Sequence, residues 1–195
     1  MALTAEDTEI VKEFGLLLSH NLETIARLES ANGRLIGVSR SDIHGLGYRA
    51  MQDILMGQLV LSAYGVMMGH QTAQHSIQQS MEVHMQPFEH GGKYLNHSCN
   101  GNLIVASDGR GLATFHAKRH IARGEELTYH YATTELKWEQ TSDESNATCN
   151  CRSENCERTI RSFVMLNPTE QKRLIESNRV ASYLINWFGE HQRKS

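Results

Sequence analysis

The cysteines constrain this chain more than any other feature. Cys99 stands alone in the polar run Asn96-His97-Ser98-Cys99-Asn100-Gly101-Asn102, while Cys149, Cys151 and Cys156 fall within eight positions of one another. Closely spaced thiols readily supply ligands to a tetrahedral zinc, and the competing reading is a set of unligated thiols. A fourth ligand would come from Cys99 or from one of the 11 histidines. Four thiolates leave no open coordination position, so such a site would be structural and would tie a late loop back onto the core. Two further runs are unusual, Gly124-Glu125-Glu126-Leu127-Thr128-Tyr129-His130-Tyr131 and Ser41-Asp42-Ile43-His44-Gly45-Leu46-Gly47. A fold consistent with all of them brings three distant runs and the cysteines to one place.

At 195 residues the chain is long enough for one domain with a real core and a helical appendage. Its net charge of −3, without any block of Lys or Arg, argues against direct nucleic-acid binding and suits a basic peptide somewhat better. There is no 18-residue apolar stretch, and the first residues are acidic rather than a signal peptide, so no membrane association is expected. The expected location is intracellular, in the cytoplasm, or in the nucleus if the source is eukaryotic. In a reducing compartment four cysteines read as metal ligands or buried thiols rather than disulfides.

Residues from about 4 to 29 predict an amphipathic helix, with Thr4 as N-cap and Asp7 in an imperfect capping box. Its apolar stripe, Ile10, Phe14, Leu17, Leu18, Leu22, Ile25 and Leu28, packs on its own domain or, alternatively, serves a homodimer through the terminal helices. From Leu35 the period changes, and 34–38 and 58–64 read as strands separated by glycine-bearing turns. The stretch 67–91, rich in Gln, His and Met, predicts an irregular or partly helical insertion. Residues 103–106 and 111–117 predict a strand pair across an Asp-Gly turn. A further strand is expected at 126–131 and a loop at 133–148. Asn167-Pro168-Thr169-Glu170 is a strong helix start, and Val180, Tyr183, Leu184, Trp187 and Phe188 give the C-terminal region an apolar face.

Two glycines in His44-Gly45-Leu46-Gly47 would let the backbone bend sharply and approach a ligand, although a plain β-turn explains them as well. Tyr129 and Tyr131 alternate along the expected strand and so share a face, as two core tyrosines also would. Asn96 and His97 read equally as a polar turn. No serine sits in a nucleophile elbow, and neither a P-loop nor a zincin helix occurs.

Taken together and in order, these motifs strongly resemble the SET domain, the family of S-adenosylmethionine-dependent protein-lysine methyltransferases. Asn96 through Asn102 is similar to its Asn-His-Ser-Cys-x-Pro-Asn signature, and Gly124 through Tyr131 to its Gly-Glu-Glu-Leu-Thr-Tyr-Asp-Tyr strand. The His44–Gly47 run resembles its N-terminal cofactor turn, and Cys149, Cys151 and Cys156 its post-SET cysteines. The resemblance covers about 34–166 and implies a small stand-alone member with a mainly β fold. That SET (β-clip) fold consists of small twisted sheets with a C-terminal pseudoknot, which sets 96–99 beside 127–131, plus a helix at each end. It divides the chain into an N-terminal helical segment (1–33), a SET domain (34–132), a post-SET zinc segment (133–166) and a helical tail (167–195).

The resemblance also implies roles. S-adenosyl-L-methionine would contact His44, Gly45, Leu46, Gly47, Lys93, Tyr94, Asn96, His97, Tyr131 and Ile160. Tyr131 matches the catalytic tyrosine, and Tyr129 the position where tyrosine restricts the number of methyl groups added. Cys99, Cys149, Cys151 and Cys156 would share one structural Zn2+. The implied substrate is a protein or peptide lysine, whose ammonium, with an ordinary pKa of about 10.4, must lose a proton before it attacks. Departures from the family pattern are Gly101 for proline, expected to loosen the loop, His130 for aspartate, Arg152 for glycine, and Tyr64-Gly65 without a following glutamate. The short insertion and the absence of a pre-SET cysteine cluster speak against a dedicated histone-tail groove. The short insertion and the missing glutamate keep open a SET-fold enzyme acting on a small molecule without necessarily methylating it, and His130 and Gly101 keep open an idle cofactor-binding or interaction module.

Overall fold

Asn21 sets the start of the first helix. Its side-chain oxygen accepts a hydrogen bond from the Thr24 N–H at 2.8 Å, satisfying a donor that the first turn leaves free, and α1 then runs Leu22–Leu35. This computed structural model describes residues 18–69, 75–108, 112–137 and 148–192. The helix expected at 4–29 is therefore corrected within the described part: it begins at Leu22 and ends at Leu35. Thr4, Asp7 and the first apolar positions lie outside the described residues. Leu18 pairs with Val66 in an isolated β-bridge instead of continuing the helical stripe. Ile25 carries the stripe inward, against Tyr64, Val66 and Phe88. Buried Asn32 pins the helix to two strands' surroundings, its amide donating to the carbonyls of Ser62 at 3.1 Å and His90 at 2.8 Å.

Among the described residues ten short strands follow, β1 (Ile36–Arg40), β2 (Leu46–Ala50), β3 (Leu59–Ser62), β4 (Gly65–Met68), β5 (Ile77–Gln78), β6 (His84–Pro87), β7 (Asn96–His97), β8 (Leu103–Ser107), β9 (Ala113–Ala117) and β10 (Glu126–Tyr129). They form three small sheets, in the orders β1-β2-β10-β7, β3-β9-β8 and β4-β6-β5. The expected strand pair is present as β8 and β9, antiparallel from Leu103 opposite Ala117 to Ser107 opposite Ala113. Their inner faces meet around Tyr48, Ile54, Leu61, Phe115, Ile121 and Leu127, all fully buried.

The stretch 67–91, expected to be irregular or partly helical, is more ordered than that in its described residues 67–69 and 75–91. It contributes the sheet β4-β6-β5 and a helical turn at Glu89–Lys93. All four residues of β6, His84 to Pro87, are buried, so the strand has no polar face to produce an alternating pattern. Gly65 is needed there, since a Cβ would stand 2.0 Å from the Gln86 carbonyl oxygen.

After a helical turn at Phe163–Met165, Asn167 and Glu170 form the full capping box of α2 (Pro168–Glu176). Asn178, at φ 51°, turns the chain into α3 (Ser182–Gln192). Val180, Tyr183 and Leu184 pack on Phe163, Ala132, Leu136 and Leu166, so this apolar face is used within the chain. Among the described residues no helix is long and apolar enough to cross a membrane.

Candidate active site

The centre of the molecule is β10, held on one edge by β2 and on the other by β7. The β7 pairing is parallel, with Thr128 opposite Asn96 and Tyr129 opposite His97. Beyond β7 the polar run continues to grip the strand. The Ser98 N–H donates to the Tyr129 carbonyl at 3.0 Å. The Asn102 side chain donates to the Glu126 carbonyl at 2.8 Å and accepts from the Thr128 N–H at 3.0 Å, so one amide replaces a missing strand partner. Gly101 packs so closely that a Cβ would lie 2.6 Å from Tyr129 Cα and 2.7 Å from the Thr128 oxygen. The expected loosening at this position is thus corrected: the glycine lets the loop press against the strand backbone.

Asn96 reaches the third run. Its Nδ2 lies 3.1 Å from the His44 carbonyl, 2.9 Å from the Leu46 carbonyl and 3.1 Å from Glu126 Oε1. Ser41 Oγ donates to the same Glu126 oxygen at 2.6 Å. Gly45 adopts φ +51°, which a side chain rarely takes, with open space where its Cβ would stand, and the neighbouring Leu46 is exposed. The glycine turn is therefore bent, anchored from behind and bare in front. Lys93 Nζ stands 5.5 Å from the centroid of the Tyr94 ring, which packs edge-on against Tyr48 at 5.9 Å. Ile160 is half-buried next to the Thr148–Thr159 bridge in the cysteine segment.

The strand expected to reach residue 131 ends at Tyr129, and Tyr131 opens a 3-10 turn, Tyr131–Thr133. His130 causes the break, its Nδ1 accepting from the Ala132 N–H at 3.2 Å and its carbonyl from the Thr133 N–H at 2.9 Å. An acceptor side chain is what that turn requires, and histidine supplies it. The Tyr129 and Tyr131 rings nevertheless approach to 5.0 Å, now through a turn and not through strand alternation. Tyr131 Oη donates to the Leu95 carbonyl at 2.9 Å, and His97 Nδ1 accepts from the Tyr131 N–H at 3.2 Å. Tyr129 stacks edge-on against Phe115 at 4.9 Å. Burial, and then the nearby Glu135, push both phenols above their ordinary pKa, so both stay protonated. Burial, with the His130 ring second, takes His97 down to about 3.

A neutral His97 whose Nδ1 accepts must carry its proton on Nε2, which faces Cys99 Sγ at 3.4 Å. This ring thus links the tyrosine turn to the cysteines. The ligand atoms of Cys99, Cys149, Cys151 and Cys156 all lie within 4.8 Å of one another, with Cys99 and Cys149 3.7 Å apart. Sulfurs at about 2.3 Å from a tetrahedral zinc stand about 3.8 Å from each other, so the cluster has the size of such a site. Burial pushes the Cys99 thiol up to about 11, a penalty that a bound cation removes. Arg152, in the place of a family glycine, adopts φ 55°; a left-handed conformation there costs a non-glycine residue about 1 kcal/mol.

One residue of this group escaped the sequence reading. Glu135 is buried behind the tyrosines, its Oε1 accepting from the Gln78 N–H at 3.1 Å and from Thr134 Oγ1 at 3.0 Å. Its Oε2 has no hydrogen-bond partner among the described residues. Burial pushes its carboxyl up to about 7. Thr133-Thr134-Glu135 has the composition of a solvated loop, and no spacing marks it as anything else.

The signature loop is thus clamped to the central strand and the tyrosine turn that follows it, with the glycine turn tied on behind. Residues 45–132 match the SET domain profile, and the chain carries a SET domain. The match stops short of the cysteine segment. The chain is 30% identical over 140 residues to the Caenorhabditis elegans protein named probable histone-lysine N-methyltransferase set-23, covering 60% of this chain and 55% of that one. It is 26% identical over 151 residues to human histone-lysine N-methyltransferase 2B, covering 68% of this chain and 5% of that one. The chain thus spans about half the length of the nematode protein and a small part of the human one. Its fold resembles the structure of KRYPTONITE in complex with mCHG DNA and SAH, at TM-score 0.52 and 23% identity over 65% of this chain and 29% of the other. The methyltransferase domain of human SETMAR is similar at TM-score 0.51 and 19% identity, over 65% of this chain and 58% of that one.

Proposed function

We propose that this protein transfers a methyl group from S-adenosyl-L-methionine to the ε-amine of a lysine in a protein or peptide. The observation that carries the proposal is the pair of buried tyrosine rings, 5.0 Å apart, on the segment that Asn96 and His97 clamp to the glycine turn. Names of relatives and the SET domain itself point the same way. The residues fit the cofactor. The bare turn at Gly45 and Leu46 offers backbone groups without side-chain obstruction, Lys93 offers an ammonium to a carboxylate, and Tyr94 a ring face. Bound there, the cofactor would supply an activated methyl on a sulfonium.

The chain's own groups do the rest. Tyr131 is oriented by its bond to the Leu95 carbonyl and presents a neutral phenol oxygen, able to hold an incoming amine in line. Tyr129, wedged between Phe115 and Tyr131, narrows the space around that amine. Cys99, Cys149, Cys151 and Cys156 would hold a structural zinc that ties the late segment to the signature loop. The position of Cys99, two residues after His97, makes the metal a brace for the site and not a participant in the reaction.

Calorimetric titration with S-adenosylmethionine, followed by transfer from tritiated cofactor onto lysine and arginine peptide panels, tests the function. Saturable binding and label on lysine peptides alone is the expected result, and label absent from every peptide would overturn it. Zinc is tested separately. Elemental analysis should find about one zinc per chain in the wild type and none in Cys149→Ser, whose melting temperature should fall by 10 °C or more, since ligand loss at a structural zinc removes several kcal/mol. A metal-free wild type of unchanged stability would sink the assignment.

A further inference from the structure

Glu135 has a burial that a merely structural carboxylate does not explain. It is 3% exposed, has one oxygen unpartnered, and forms no ion pair among the described residues. Gln78 faces it from β5 and Thr134 adjoins it in the chain, while the titratable groups around it are Tyr129 and Tyr131 of the site and Tyr183 of α3. None of these neutralises a negative charge. Ionising a carboxylate so placed is costly, so the group holds its proton to higher pH than an exposed one.

A continuous line of hydroxyls connects it to the tyrosine pair. Thr134 Oγ1, with one hydroxyl proton, donates to Glu135 Oε1 at 3.0 Å, a nearer acceptor than the Tyr131 carbonyl at 3.4 Å. Tyr129 Oη, 3.3 Å from that same Thr134 oxygen, must then be the donor in their contact. The polarity is uniform, running from Tyr129 through Thr134 to the carboxylate. Tyr183 steadies the middle member, its hydroxyl donating to the Thr134 carbonyl.

We propose that Glu135 is the proton acceptor for the substrate amine, reached through the hydroxyls of Tyr129 and Thr134. This rests on the reading of the tyrosine pair as the lysine methylation site. In the step, one N–H bond of the substrate ammonium breaks and its electron pair stays on nitrogen. Tyr129 takes that proton while passing its own to Thr134, and Thr134 passes its own to Glu135, where a new O–H bond forms. The amine is left neutral, and the proton leaves Glu135 for water before the next cycle. Burial that lifts the carboxyl to about 7 supports the assignment, because an acceptor that titrates near neutrality both takes a proton from the amine and gives it up.

The test compares wild type with Glu135→Gln and Thr134→Val, using tritiated S-adenosylmethionine and lysine peptides across pH, with calorimetric cofactor binding alongside. Glu135→Gln is expected to lower transfer at pH 7 by about 10²-fold and to recover as pH rises and the amine deprotonates unaided. Thr134→Val should follow it, and cofactor affinity should stay unchanged in both. Infrared difference spectra should contain a carboxylic-acid C=O band that titrates near pH 7 in wild type and is absent from Glu135→Gln. A pH profile in Glu135→Gln identical to wild type, or no such titrating band, overturns the proposal. A titrating band in a wild type that labels no lysine peptide would place the failure in the methyltransferase reading, and the acceptor role would fall with it. Thermal melting separates misfolding from loss of chemistry. A folded-state pKa above the ordinary value makes wild-type stability fall as pH rises from about 4.5 to about 7, and Glu135→Gln should melt without that fall.

Discussion

Changing Tyr131 to phenylalanine should lower methyl transfer by about 10²–10³-fold, the usual cost of deleting one preorganised polar contact to a reacting centre. Binding of S-adenosylmethionine should change little, because the ring remains and the backbone N–H of residue 131 still reaches His97. Stability should change little too. Among the described residues the hydroxyl bonds to the Leu95 carbonyl, and leaving that acceptor unmatched costs about 1 kcal/mol. Single-turnover rates, with calorimetry on the same preparations, check the expectation. A rate in Tyr131→Phe within twofold of wild type would remove the residue from the chemistry.

The second large effect is on folding. Gly101→Ala inserts a methyl 2.6 Å from Tyr129 Cα and 2.7 Å from the Thr128 carbonyl oxygen. Both neighbours are main chain, hydrogen-bonded in β10, so neither yields by a side-chain rotation. Overpacking of this kind costs roughly 3 kcal/mol, a fall of about 6–12 °C in melting temperature for a chain of this size. Gly101→Pro, which would restore the family's own signature residue, should be worse. It adds the same collision and removes the N–H that donates to the Ser98 carbonyl at 3.2 Å. Since the displaced residue is Tyr129, activity should fall with stability. Melting curves of the two variants decide the matter, and wild-type behaviour in Gly101→Pro would show that the loop retreats freely.

Much of this arrangement was legible beforehand through the resemblance of whole runs to a known signature, since the same residues read singly fit a plain turn as well. Asn96, Asn102 and Gly45 belong to short runs whose residue types are needed for one geometry, side-chain amides replacing strand partners and a turn at positive φ. Asn167-Pro168-Thr169-Glu170 states its own capping box. What could not be read depends on distant partners. The sheet β4-β6-β5 is hidden because Gln78, Gln79, His84 and Gln86 are buried polar residues, and Gln78 and Gln79 are partnered by the main chain of Leu136 and Ala113, far away in sequence. Periodicity cannot report on such residues. Tyr131 leaves the strand because a histidine at 130 caps a turn, a preference that alternation alone does not register. Glu135 looks solvated until Gln78 and the tyrosines enclose it.

The place of β10 between β2 and β7 bears on how the chain is made. Every group that will grip β10 is synthesised before it: the β2 edge, Asn96 and Asn102. A nascent chain that has emerged only as far as Gly124 therefore has a bent glycine turn and a signature loop with nothing to hold. Two amides destined for burial remain in water, and Cys99 waits for thiols 50 residues further on. Such long-range closure is slow compared with hairpin formation. A product that stops before β10 can thus build the hairpins but has no strand for Asn96 and Asn102 to clamp.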